Sequence, residues 1–226
     1  MIDMVYDSKL TLVSRESLFA TLTACKHAAQ ANIEGDFVEC GVWRGGNAIL
    51  AALTFQLQKC DKKVYCFDTF QGFRGLEAGD KDGFAQQTET DKELYASYWS
   101  ELDETAFNPE TAGVSLEDVR ESFALCGVNP EKVVFVKGNV MKTLDGSDVP
   151  RHISVLRLDT DWYESTRKEL EVLYPRVSVG GVLIVDDYGA HQGSRTATDE
   201  YFNKVARPML QYTDWHARLG VKTKED

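Results

Sequence analysis

Basic residues are scarce in this chain. Lysine and arginine number 25 against 36 aspartates and glutamates, a net charge of −11 over 226 residues. That balance argues against a broad nucleic-acid surface, which needs clustered cations to meet phosphates. It leaves room for a small polar substrate or a bound cation. No run is long and apolar enough to span a membrane. The opening MIDMVYDSKL lacks the basic start and apolar stretch of a signal peptide. Cysteine cannot build a small disulfide framework: there are five, an odd number, with no CxxC. Cys40 and Cys66 sit in apolar, strand-like runs where a thiol is ordinarily a buried hydrophobe, and the set suits a reducing cytoplasm. Internal repeats and low-complexity segments are missing, and so is the GxGxxG fingerprint of dinucleotide binding.

What remains is an α/β pattern of a length that fits a single domain, 1–226. Ser14 is placed to cap a helix whose Leu18, Leu22, Cys25 and Ala29 share one face. Short apolar runs at 37–40, 64–67, 133–136, 153–158 and 182–185 read as strands. Helices are expected at 48–57, from Ser115 to near Gly127, after Trp162 and over about 196–205. Gly180-Gly181 reads as a turn, and 210–212 and 217–221 as closing strands. Alternating strands and helices predict a mostly parallel sheet covered on both faces, with ligands at the carboxyl ends of the strands. The polar stretch 72–114, with aromatic islands at Tyr95, Tyr98 and Trp99, reads as an insertion, either a lid or a fixed subdomain.

The strand ends carry the candidate chemistry. After the first comes Glu39-Cys40-Gly41-Val42-Trp43-Arg44-Gly45-Gly46, whose glycines let a ligand approach the backbone. By itself such a loop is also read as a tight turn. Asp68 ends the next strand, where an acid meets a ribose in nucleotide folds. The pair suggests an adenosine-containing cofactor without separating S-adenosylmethionine from NAD. Asp159 and Asp161 follow one strand; Asp186 and Asp187 follow another. Four carboxylates at one sheet edge repel, and an oxygen-preferring cation such as magnesium relieves that repulsion. Zinc spacing is absent. Taken singly, each aspartate also reads as a solvated residue or a helix cap. Lys137-Gly138-Asn139 borders an adenine or is an ordinary turn. Trp162 and Tyr163 are wall or core. His191 is a rival base on a glycine-flanked loop, where its position looks less constrained.

Taken together, GDFVECGVWRGGNA from Gly35, VYCFDTFQGF from Val64, SLEDVRESF from Ser115, LRLDTDWYEST from Leu156 and LYPRVSVGGVLIVDDYG from Leu173 resemble the macrocin O-methyltransferase family. The resemblance implies a class I methyltransferase fold, Rossmann-like with a seven-stranded sheet, using S-adenosylmethionine and Mg2+. It implies that Glu39, Gly41, Trp43 and Gly45 line the donor's methionine side, that Asp68 takes the ribose, and that Asn139 and Val140 border the adenine. Thr11 matches a residue that closes over the donor. Asp159, Asp186 and Asp187 match metal ligands, and Asp161 the general base. The implied acceptor is a hydroxyl of a sugar or glycosylated small molecule, with no nucleic acid or membrane as partner and a homo-oligomer left open. A catechol suits the same metal chemistry. An NAD oxidoreductase lacks its fingerprint here, and a noncatalytic nucleotide- or metal-binding module is the remaining alternative.

Overall fold

The computed structural model describes residues 1–71 and 114–224. The expected insertion therefore lies outside the described residues, apart from Val114. Strands β1 (Asp36–Cys40), β2 (Val64–Asp68), β3 (Val133–Lys137), β4 (Ile153–Leu158), β5 (Val177–Val185), β6 (Gln211–Tyr212) and β7 (Arg218–Val221) form one sheet, ordered β3-β2-β1-β4-β5-β7-β6. The first five in that order are parallel, and β7 and β6 close the edge antiparallel. This is the seven-stranded, mostly parallel sheet expected. Among the described residues no helix is long and apolar enough to cross a membrane.

Strand side chains alternate between two cores. Phe37, Val64, Cys66, Val155 and Ile184 face one side, with α2 (Arg15–Gln30), α3 (Gly46–Leu57) and α4 (Leu116–Leu125). Val38, Cys40, Phe67, Leu156, Leu158 and Leu183 face the other, with α5 (Val140–Thr143), α6 (Tyr163–Leu173) and α7 (Gln192–Phe202). A short α1 (Ile2–Asp7) precedes them. Local chemistry sets the boundaries. Ser14 accepts from the Ser17 amide at the start of α2, and Ser115 with Asp118 forms a capping box at α4. Two elements differ from the sequence reading. Gly180-Gly181 lies inside a longer β5, where the β4 pairing shifts register, so the glycines serve an irregular strand instead of a turn. Helix α7 starts at Gln192, directly after His191, four residues before the expected Thr196.

The topology places the site. The chain winds from β1 outward to β3, then returns to lay β4 on the opposite flank of β1. Ligands bind at such a switch point, beyond the carboxyl ends. The registers pair Cys40 with Phe67, Phe67 with Val136, Cys40 with Leu158, and Leu158 with Val185. The strands thus end level, and Gly41, Asp68, Lys137, Asp159 and Asp186 emerge in one row.

Arg157 interrupts β4 with a charge and is 0% exposed. Its register partner on β1 is Glu39, whose Oε1 accepts from Nη1 at 2.9 Å. The same nitrogen donates to Asp159 Oδ2 at 2.5 Å, and Nη2 donates to Asp186 Oδ1 at 2.5 Å. One guanidinium therefore joins carboxylates of β1, the β4 end and the β5 end. Arg157→Met should lower the unfolding free energy at neutral pH by about 3–5 kcal/mol, because removing one partner strands buried charges. Urea denaturation measures this, and a loss below about 1 kcal/mol, the range of an exposed pair, would contradict it.

Candidate active site

The glycine loop is shaped by close approach. Gly41 has φ +81, and a Cβ there would stand 1.8 Å from the Asp159 carbonyl oxygen, so a side chain is excluded on both counts. Asp68 holds the loop from the neighbouring strand. Its Oδ2 accepts from the Val42 amide at 2.6 Å and the Trp43 amide at 3.2 Å, while Oδ1 accepts from the Phe70 amide at 2.7 Å. Asp68 is thus neither a helix cap nor a loosely solvated aspartate; it organises the β1–α3 turn. Trp43 adopts φ 47, costly for a bulky residue, and its buried indole Nε1 has no hydrogen-bond partner among the described residues. Gly45 caps α3 in the left-handed region beside Phe123. The segment before α2 crosses this loop. The Gly46 amide donates to the Leu10 carbonyl at 2.9 Å, and Thr11 sits close against Gly46. Asn139 follows β3 and caps α5 by accepting from the Met141 amide. Val140 is largely taken into the core cluster that holds Phe67 and Leu144.

The acidic residues converge. Asp159, Asp186 and Asp187 each offer an oxygen within 4.8 Å of the others. Asp161, Asp187 and His191 meet the same condition, so all four aspartates belong to one centre. Asp161 stands at φ 68, and its amide donates to Asp187 Oδ2 at 3.1 Å. His191 is not the loosely held residue its sequence position suggested. It is 9% exposed, its amide donates to the Asp187 carbonyl at 2.8 Å, its Nε2 is 3.7 Å from Asp161 Oδ1, and its ring meets Trp162 edge-on at 5.9 Å. His191 is the N-cap position of α7, which starts at Gln192, and that placement fixes it.

Electrostatics divide the acids. Burial opposes the charge on Asp186, but Arg157 and then His216 outweigh it and hold this carboxyl well below its ordinary value. Burial pushes Asp161 up to about 7, with the Asp159 charge adding to it. Asp187 is driven well up by burial and by Asp161, and Asp159 by burial in spite of Arg157. Glu39 is raised to about 7 by burial, against the pull of Arg157. Arg157 therefore neutralises the cluster only in part, and Asp161 and Asp187 lie outside its hydrogen bonds.

Sequence reasoning missed four participants. Arg157 carried a signal, a charge within the apolar ISVLRL. His216, Asp214 and Glu169 carried none. His216 Nδ1 lies 3.4 Å from Asp186 Oδ2 and its Nε2 3.5 Å from Asp214 Oδ2, which also accepts from Ser14 Oγ at 2.5 Å. Burial lowers the His216 pKa, yet its hydrogen bond to Asp186 prevails and raises it to about 9.

Comparison with known proteins places the chain in a family and a fold. The profile of the Macrocin-O-methyltransferase (TylF) family matches residues 7–218. Demethyldecarbamoylnovobiocin O-methyltransferase of Streptomyces niveus is 36% identical over 171 residues, 75% of this chain and 59% of that protein. Mycinamicin III 3''-O-methyltransferase of Micromonospora griseorubida is 30% identical over 192 residues, 84% of this chain and 69% of that protein. The chain thus spans under two thirds of the first relative's length. Among solved structures, the O-methyltransferase NovP superposes with a TM-score of 0.78 at 31% identity, covering 95% of this chain and 82% of that one. Calicheamicin methyltransferase CalS11, at 17% identity and TM-score 0.62, shares the fold. The sheet order is that of class I methyltransferases, and the chain belongs to the macrocin O-methyltransferase family.

Proposed function

We propose that this chain transfers a methyl group from S-adenosylmethionine to a hydroxyl of a sugar or glycosylated small molecule, with magnesium as cofactor and Asp161 as general base. The observation that carries the reading is the row of strand ends. It sets a glycine loop and an acid, Asp68, directly beside a four-aspartate centre.

The residues fit both groups. Glu39 Oε2 and Trp43 Nε1 are buried polar atoms without partners among the described residues, beside a loop that admits no side chain at Gly41. A charged amino-acid moiety would satisfy such an acceptor. The three carboxylates of Asp159, Asp186 and Asp187 are hard oxygen donors suited to magnesium. When bound, S-adenosylmethionine supplies an electrophilic methyl group, and magnesium supplies positive charge that acidifies a neighbouring hydroxyl.

The chain's own residues do the rest. Glu39, Trp43 and the amides near Gly41 and Gly45 would hold the donor's methionine end, with Thr11 closing over the loop. Asp68 would trade part of its grip on the loop amides for the ribose hydroxyls. Asn139 and Val140 would border the adenine. Asp161 would take the acceptor's proton, since an acid near 7 is poised for proton transfer at neutral pH. His191, 3.7 Å away, would orient that carboxylate. Holding the acceptor hydroxyl and the donor in place together, through these residues, would supply much of the rate. The name of a further relative, the 8-demethyl-8-(2,3-dimethoxy-alpha-L-rhamnosyl)-tetracenomycin-C 4'-O-methyltransferase of Streptomyces olivaceus at 36% identity, favours a sugar hydroxyl over a catechol.

Radiolabelled S-adenosylmethionine with magnesium should label a nitrophenyl rhamnoside or another vicinal-diol glycoside, and exhaustive chelation should abolish labelling. Turnover confined to catechol would replace the acceptor class, and full turnover after chelation would remove the metal.

The cluster also makes stability depend on pH. Folding raises Asp161 from an ordinary 3.8 to about 7, so across that window the folded chain holds a proton that the unfolded chain releases. Without a divalent cation, the contribution of this group to stability falls as pH rises from 3.8 toward about 7 and levels off above. Magnesium should raise the melting temperature most at the upper end of the window, and Asp187→Asn should blunt the rise. Differential scanning fluorimetry across pH, with magnesium or EDTA, measures both.

Asp161→Asn should cut single-turnover methyl transfer by about a hundredfold or more, within the range of general-base loss, and leave donor affinity nearly unchanged. His191→Ala should have a smaller effect. A dead histidine variant beside a near-normal Asp161→Asn would exchange the two roles.

A further inference from the structure

Glu169 takes no part in the chemistry above, yet it is fully buried on α6. A carboxylate is not buried without a local reason. Its Oε1 accepts from the Thr160 hydroxyl at 2.9 Å, and its Oε2 has no partner among the described residues. Thr160 Oγ1 also lies 2.8 Å from Ser165 Oγ, and the Ser165 hydroxyl is 3.2 Å from the Trp162 carbonyl. Side chains of α6 thus grip the β4–α6 loop on both sides of Asp161.

The loop needs a grip. The Trp162 amide donates to the Thr160 carbonyl at 2.8 Å, closing a three-residue turn with Asp161 at its apex and φ 68. A γ-turn with positive φ at its central residue is the rare, strained form. Such a conformation persists only where its surroundings over-determine it. Asp187 holds the apex through the Asp161 amide. The Thr160 limb is held by Glu169.

We infer that Glu169 is a positioning residue, whose bond to Thr160 pins the strained 160–162 turn so that the Asp161 carboxylate stays in the acidic centre. The consequence for catalysis rests on Asp161 being the base; the pinning itself does not. Leucine is close in volume to glutamate and cannot accept from Thr160, whereas glutamine can. Thr160 Oγ1 keeps Ser165 Oγ at 2.8 Å when Glu169 is replaced, so its hydroxyl is not left unpaired and the effect should be local.

Hydrogen exchange of the Asp161 and Trp162 amides in the full-length, ligand-free protein tests the pin. Exchange should be about tenfold faster or more in Glu169→Leu and within about twofold of the parent in Glu169→Gln. Thr160→Val, which removes the hydroxyl and keeps the shape, should reproduce the leucine result and serves if Glu169→Leu does not fold. With S-adenosylmethionine, magnesium and the nitrophenyl rhamnoside, Glu169→Leu should lose about tenfold or more in kcat at similar KM, and the glutamine variant should recover it. Unchanged exchange in the leucine and valine variants, or equal acceleration in the glutamine variant, overturns the proposal. Asp161→Asn run alongside keeps the two ideas apart. Retained turnover in that variant ends the base assignment, while the exchange data still judge the pin.

Discussion

The buried guanidinium of Arg157 is the interaction on which the rest of this site depends. It lies inside a parallel sheet, where a lone charge is untenable. It persists because Glu39, Asp159 and Asp186 arrive from three adjacent strands to meet it. Each acid in turn would be costly there without the arginine. The arrangement fixes the carboxyl ends of β1, β4 and β5 relative to one another. Those ends carry the glycine loop and the four aspartates of the centre. One ion cluster therefore links the candidate donor pocket to the candidate cation centre.

Around that anchor the site is built from constrained backbone. Gly41 leaves no room for a side chain against Asp159, Trp43 and Asp161 hold positive φ, and Asp68 spends its oxygens on loop amides. Strain of this kind tends to gather where geometry must be held for a purpose. Here it flanks both halves of the centre. The surroundings that hold it are specific: Asp68 for the glycine loop, Asp187 and Glu169 for the turn at Asp161.

The charges are unevenly settled. Arg157 and His216 stabilise the ionised form of Asp186, while Asp161 and Asp187 remain crowded and buried. A divalent cation and a proton are alternative ways of relieving the same repulsion. That competition gives the proposed chemistry a physical basis in the folded protein itself. His216 and Asp214 extend the cluster to Ser14 at the cap of α2, so the first long helix is fastened to the centre it covers. Ser17 of the same helix reaches Asp186 directly at 3.3 Å.

Much of this was legible in the chain alone. Five apolar runs gave the five parallel strands, because burial on both faces demands continuous hydrophobicity. Ser14 and Ser115 marked helix starts through capping chemistry, and glycines and aspartates after the strands marked the edge of the candidate site. Long-range pairing was not legible. That Glu39 stands opposite Arg157, that His216 reaches Asp186, and that Glu169 grips Thr160 depend on strand register and helix packing across 118, 30 and 9 residues of sequence. Gly180-Gly181 reads as a turn but lies in a strand for the same reason, since glycine permits a turn and an irregular strand alike and only the neighbouring β4 selects between them. His191 looked less constrained in position until α7 began beside it. Sequence by itself determined where the main strands and helices lie and which residue types gather at the strand ends, because those follow from local periodicity and side-chain chemistry. Tertiary structure alone decided which charges are paired, which are left crowded and which backbone is strained, because those energies depend on distance and burial that neighbours in space, not in sequence, impose.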